Sequence, residues 1–218
     1  MKKSAIVVAT LLALSAGAAN ADVLNGFTGK VEAEHTTQDK STNLEARIGY
    51  DFNFGAVSVI PFASVETQYE DKRFNEGSFG GGLRVQTNFD NFYAYAEGRA
   101  MRKDRIKVYG AAPMDITGNG AEVIVDSTVK EYRAEVGTGY QFDSGLFAGV
   151  EASYTRDRFE GVNSNTRNVF AVAGYEFIDN LAAYVKVGRE DSGELAVPYA
   201  NDTTKWETKS VIGLTYRF

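Results

Sequence analysis

From residue 27 to residue 218, apolar and polar side chains alternate in segment after segment. The segment 44–54 sets Leu44, Ala46, Ile48, Tyr50, Phe52 and Phe54 against Glu45, Arg47, Gly49, Asp51 and Asn53. The last sets Ile212, Leu214, Tyr216 and Phe218 against Val211, Gly213, Thr215 and Arg217. A period of two marks a β-strand with one apolar face, because successive side chains leave a strand on opposite sides. Ten such strands are predicted, at 27–35, 44–54, 57–69, 79–89, 92–103, 130–142, 146–156, 168–177, 181–190 and 206–218. Gly55-Ala56, Asp90-Asn91, Asp143-Ser144-Gly145 and Asp179-Asn180 supply tight turns at one end. Connections at the other end run to about seven to twenty-five residues, the asymmetry of a transmembrane barrel.

The apolar face is banded. Near the tight turns it carries Phe27, Phe52, Phe54, Phe89, Phe92, Tyr140, Phe142, Tyr175, Phe177, Tyr216 and Phe218, and near the other end Tyr69, Phe79, Tyr132, Tyr154 and Trp206. Small and aliphatic residues lie between. Rings favour the headgroup boundary, so two belts point to lipid, not a second sheet, as the cover of this face. The expected fold is all-β, a transmembrane antiparallel up-and-down β-barrel of ten strands, with eight and twelve as alternatives. Twelve would need two short strands, 106–111 and 121–125, inside the connection 104–128. The same connection also suits a hairpin from about 105 to 126, with 113–120 at its tip. Pro61 interrupts the third strand; it removes a ladder bond, and a bulge is expected there.

The basic start Met1-Lys2-Lys3, the apolar run 5–18 and the small residues Ala19-Asn20-Ala21 predict a cleaved signal peptide at 1–21, too short and alanine-rich for an anchor. A single barrel domain then occupies 22–218. The net charge of −6 becomes −8 on loss of Lys2 and Lys3, which leaves 21 basic against 29 acidic residues. Such a balance argues against nucleic acid as a partner. The absence of cysteine excludes a disulfide framework and thiolate chemistry.

The leader, the alternating strands and the run Ile212-Gly213-Leu214-Thr215-Tyr216-Arg217-Phe218 resemble those of Gram-negative outer-membrane β-barrel proteins, at the small porin-like end of that class. The resemblance covers 22–218 and specifies a class, not an activity. It implies Sec export to the outer membrane of a Gram-negative bacterium. It also implies contact with outer-membrane lipid and lipopolysaccharide, and passage through periplasmic chaperones and the barrel-assembly machinery. Ile212, Leu214, Tyr216 and Phe218 resemble the assembly signal that this machinery reads.

Some small barrels of this class are omptin proteases or lipid-A acylases and deacylases, which use a histidine with carboxylates or a serine. His35 is the sole histidine, and parity turns it outward, away from Glu34 and Thr36. Glu32 and Glu34 lack the histidine or calcium-loop spacing of a metal site, and Gly80-Gly81-Gly82 falls inside a strand. No catalytic, cofactor or metal site is therefore expected.

The inward face offers lumen-lining candidates: Glu32, Glu45, Arg47, Glu66, Arg84, Glu97, Arg99, Glu131, Arg133, Glu135, Glu151, Lys186, Glu207 and Lys209. With Lys30, Glu34, Asp51, Lys103, Glu176, Glu190 and Arg217 it holds twelve acids and nine bases. An eight-stranded barrel is filled by side chains and a sixteen-stranded one is an open channel, so ten strands imply a narrow or plugged lumen. Close pairs such as Glu97 with Arg84 are expected across it. The reading is a narrow porin-like channel for ions or small solutes, or a structural barrel. One alternative is a surface-binding barrel acting through its extracellular loops. Another is a twelve-stranded porin for acidic oligosaccharides, against which the mixture of signs in the interior stands. Outward at the loop ends, Arg102, Lys130, Arg156 and Arg189 are candidate lipopolysaccharide contacts.

Overall fold

The computed structural model describes residues 26–70, 73–74, 77–103, 106–108, 123–125, 128–159, 162–178, 180–192 and 206–218. The predicted leader, 1–21, and the predicted tip, 113–120, lie outside them.

Ten strands form the wall: β1 (Phe27–Thr36), β2 (Ser41–Tyr50), β3 (Val57–Glu70), β4 (Ser78–Phe89), β5 (Phe92–Lys103), β6 (Val129–Gln141), β7 (Leu146–Phe159), β8 (Val162–Ile178), β9 (Leu181–Ser192) and β10 (Trp206–Arg217). Each runs antiparallel to the next, and β10 returns to β1 from Lys30 opposite Arg217 to Thr36 opposite Val211, so the sheet is closed. Twelve strands are not formed. Ile106–Val108 and Val123–Val125 pair with each other in a separate two-stranded sheet, Ile106 opposite Val125. Because β5 and β6 already satisfy each other, from Val129 opposite Lys103, no edge remains for an insertion.

Two connections are shorter than their sequences suggest. Thr36 pairs with Ser41, so a four-residue turn, Thr37–Lys40, joins β1 to β2, with Lys40 at φ 51°. Strands β7 and β8 stay paired out to Phe159 opposite Val162, across the polar stretch expected to be loop. Hydropathy alternation ends where lipid ends, whereas backbone pairing continues into water. Nor does a bulge form at Pro61. Its register with β4 is unbroken, from Ile60 opposite Arg84 to Phe62 opposite Gly82. The ladder to β2 lapses at Tyr50–Asp51 instead and resumes with the same offset at Phe52 opposite Val59. Proline has no N–H to give to this ladder; on its other side β2 stays bonded past Tyr50, where Asp51 N–H donates to the Gly26 carbonyl, 2.7 Å away.

The outside of the wall is apolar and uncovered. Phe89 (73%), Phe54 (70%) and Phe92 (50%) are exposed at the tight-turn end, Phe79, Tyr132, Tyr154 and Trp206 at the other, and Val136, Val150, Val187 and Ile212 between them. Inside, bulky rings lie against glycines directly across the ladder. Tyr93 faces Gly139, Tyr95 faces Gly137, Phe147 faces Gly174 and Tyr184 faces Gly213. A Cβ at any of these glycines would enter the opposing ring. The seam between first and last strands is closed similarly: Gly29 N–H donates to the Phe218 carbonyl (2.8 Å), Phe218 N–H donates to the Gly29 carbonyl (3.1 Å), and the Phe218 ring covers Gly29.

Gly80 and Gly98 test this close packing. A Cβ at Gly80 would overlap the Ala100 carbonyl oxygen, whereas nothing stands within 4 Å of one at Gly98. In urea unfolding of the refolded barrel, Gly80→Ala is expected to cost about 1–3 kcal/mol and Gly98→Ala within about 0.5 kcal/mol of nothing. Equal effects would show that strand spacing at Gly80 is not what requires glycine.

Candidate functional site

Alternation places the odd residues of β2, β5 and β6 and the even residues of β1, β3 and β4 in the lumen, and ten strands bring them within reach of one another. Arg47 of β2 donates to Glu97 of β5 through both terminal nitrogens (2.6 and 2.9 Å) and to Glu45 of its own strand (2.8 and 3.1 Å). Strands β3 and β4 separate β2 from β5 in the wall, so this pair spans the lumen as a chord. Arg99 of β5 donates to Glu66 of β3 and stands 3.5 Å from Glu45 and 3.6 Å from Glu131. These six residues, Glu45, Arg47, Glu66, Glu97, Arg99 and Glu131, are only 5–9% exposed.

The layer extends on both sides. Lys30 pairs with Glu32 (2.6 Å) and Glu45 (3.0 Å), Arg84 lies 3.5 Å from Glu97, and Lys103 pairs with Glu131 and, at 3.5 Å, with Asp157. Seven consecutive strands thus share one chain of alternating charge. Rings support it: the Arg47 guanidinium lies 3.8 Å above the Phe62 ring and that of Arg84 3.8 Å above Tyr95. A second group faces it. Lys186 of β9 lies 2.8 Å from both Glu34 and Glu151, and the Tyr184 hydroxyl lies within 2.8 Å of Glu32 and Glu34. Tyr95 donates to Glu135 (2.8 Å), which also accepts from Arg133.

Between this layer and the tight turns lies a cavity of about 920 Å³. Its lining reaches Asn88, Asp143 and Arg217 at the turn end and Arg47, Glu97 and Arg99 at the layer. Glu32, Glu45, Glu66, Arg84, Arg133, Glu135, Glu151 and Lys186 also line it, whereas Glu131 lies past it. Lys209, nearer the loop end, pairs with Glu190 (2.7 Å) and Asp39 (3.1 Å). Glu207, opposite Glu190, is exposed. His35 is exposed, its Nδ1 3.0 Å from the Thr42 hydroxyl. Arg102, Lys130, Arg156 and Arg189 are exposed on the outer wall.

Sequence reasoning missed the inward rings Phe62, Tyr93, Tyr95 and Tyr184, together with Met101, whose sulfur accepts from Ser64. Their parity was available, but an inward set sorted by charge alone passes over them. Their cross-strand glycines become informative only once the register is known.

A closed antiparallel wall, apolar and aromatic-banded outside and charged within, defines a transmembrane β-barrel of the outer-membrane type. Solved structures share this fold. The KdgM porin in complex with disordered oligogalacturonate matches with a TM-score of 0.50 at 16% identity, over 88% of this chain and 99% of that one. The KdgM porin determined separately gives 0.49 at 16% identity over the same shares. The NanC porin gives 0.46 at 11% identity, over 86% of this chain and 98% of that one. At 16% identity the likeness to the KdgM complex speaks for the fold alone. No family model and no curated protein matches the sequence.

Removing Arg47 alone takes from buried Glu97 its shortest ion pair and leaves it to Arg84 at 3.5 Å, while Glu45 keeps Lys30 and Arg99, so Arg47→Ala should lower stability by up to about 3–5 kcal/mol. The double change Arg47→Met with Glu97→Leu should recover most of that loss. Urea midpoints of the reconstituted barrel decide it; equal loss in the single and double variants would refute the cross-lumen pair.

Proposed function

We propose that this chain is a narrow outer-membrane channel for ions and small solutes, constricted where Arg47, Glu45, Glu97 and Arg99 meet. The observation that carries the reading is the cavity that runs from the tight-turn end and reaches this buried, cross-lumen layer. By the usual barrel polarity the tight turns are periplasmic, so the cavity is a periplasmic vestibule and the charge layer its inner gate. Each cation in the layer touches a carboxylate, which cancels much of the field and occupies the cross-section. A polyanion would meet Glu45, Glu66 and Glu97 beside the arginines. The oligogalacturonate of the KdgM complex is thus a poor guide to solute here, and a small ion or uncharged solute is the better one. Export by the leader at 1–21 through Sec in a Gram-negative cell, and insertion by a barrel-assembly machinery reading Ile212, Leu214, Tyr216 and Phe218, belong to the same proposal. His35, bonded to Thr42 on the outer surface, supports a channel over a histidine-dependent enzyme.

Planar-bilayer recording tests it. Wild-type protein should give small steps with mild cation preference, because acids outnumber bases along the inward face. Arg99→Ala and Arg84→Ala should each raise the conductance and the cation preference. Silence from wild type and both variants would leave a structural barrel, and large anion-selective steps would overturn the constriction.

A further inference from the structure

Two rings in the vestibule differ from those in the charge layer. Phe62 and Tyr95 are each capped by a guanidinium, Arg47 and Arg84, 3.8 Å above the ring. Tyr93 of β5 and Phe147 of β7 stand nearer the tight turns and carry no such cap among the described residues. One face of each lies against glycine. Tyr93 leans across Gly139 of β6 until its hydroxyl reaches Gly149 of β7, and Phe147 lies over Gly174 of β8. Both line the cavity, so the face away from the wall is turned to the lumen. Phe147 and Gly149 are neighbours on the inward face of β7, about 7 Å apart. The two rings therefore form one flat platform across β5–β8.

Hydrogen-bonding groups without partners stand beside it. Asn88 of β4 lies directly opposite Tyr93. The Asn88 amide, the Tyr93 hydroxyl and the Arg217 guanidinium border the cavity, and none makes a hydrogen bond or ion pair among the described residues. The carboxylates at this end are bonded to amides, not cations. Asn91 donates to Asp143 (2.9 Å), and the Gln141 side chain (3.0 Å) and the Asn180 backbone (2.8 Å) donate to Glu176.

This combination selects a class of ligand. Aromatic faces are apolar and electron-rich, so they attract a flat face of C–H bonds. Asn88 and Tyr93 offer neutral donors and acceptors to hydroxyls at its rim. An anion drawn to Arg217 would also meet Asp143 and Glu176, and an organic cation would meet Arg217. An uncharged pyranose has the flat C–H face and the hydroxylated rim, and it opposes neither sign. The cavity of about 920 Å³ lies at the upper end of the usual range for small-molecule sites, about 300–1,000 Å³.

We propose that Tyr93, Phe147, Asn88 and Arg217 form a binding site for an uncharged sugar, its ring stacked on the platform and its hydroxyls held by the other groups. The site names a solute for the channel and rests on that reading for access from the periplasm, but binding itself does not need conduction.

Saturation-transfer NMR on the refolded barrel, in a polyoxyethylene detergent that carries no sugar, is the test. Maltose should receive saturation at its ring C–H protons, and the open-chain polyol sorbitol should not. Phe147→Leu and Asn88→Ala should each weaken maltose about twofold to tenfold, through loss of one ring face or one neutral hydrogen bond. Asn88 is exposed, so its variant serves if Phe147→Leu folds poorly. Tyr132→Leu, on the outer wall, should bind as wild type does. No maltose signal, equal signals from maltose and sorbitol, or undiminished affinity in both vestibule variants would overturn the site. So would tighter binding of galacturonate, which would mark an anion site at Arg217, or of choline, which would mark an organic-cation site. Bilayer recording keeps the two readings apart. Current without maltose binding removes the sugar site alone, and maltose binding without current removes the channel and leaves the site.

Discussion

The hydrocarbon core of a bilayer accepts no hydrogen bonds, and most features of this barrel follow from that. A wall facing lipid must satisfy every backbone amide within itself, because each orphaned group costs several kcal/mol (about 4–8 on a water-to-alkane scale). Closure is the only general answer for strands. It brings Phe218 back to Gly29 through a reciprocal pair of bonds and leaves Ile106–Val108 and Val123–Val125 to pair with each other outside the wall. It also bounds the effect of Pro61, where the lapse is confined to two residues of the neighbouring strand.

Closure at ten strands also sets the interior. The lumen is narrow enough for Arg47 and Glu97 to meet across it, yet too wide for backbone alone to fill. Two devices occupy the space. Rings fold down onto cross-strand glycines, as Tyr95 does on Gly137 and Tyr184 on Gly213. Charges then occupy the middle, each shared between partners so that none is buried alone. A vestibule remains on the tight-turn side, which ties the stability of the barrel and its permeability to the same side chains. Loosening the arginines that restrict the lumen removes partners from carboxylates that burial would otherwise penalise.

Much of this was legible in the sequence. Period two gave the ten strands from β1 to β10, the two faces and the tight turns, because lipid imposes a one-dimensional rule on each strand separately: alternate residues must be apolar. The belts at Phe89 and Phe92 and at Tyr132 and Tyr154 are local for the same reason, since each ring answers only to its own depth. Even the Glu97–Arg84 contact follows from two neighbouring strands and a tight turn.

What the rule cannot reach is whatever depends on which residues meet. Beyond the lipid, 157–159 and 162–167 lose their alternation but keep their partners, so hydropathy predicts a loop where strands stay paired and leaves Arg158 outside the predicted strand. The lapse beside Pro61 in place of a bulge, and the glycine beneath each inward ring, depend on the register between strands. That Arg47 reaches Glu97 as well as Glu45, that Arg189 stands apart from Lys130, and that Glu207 projects into solvent depend on how ten strands curve around one axis. Alternation fixes which side of the wall a residue occupies, because that is decided within its own strand. Its partner is decided by closure, which no single strand encodes.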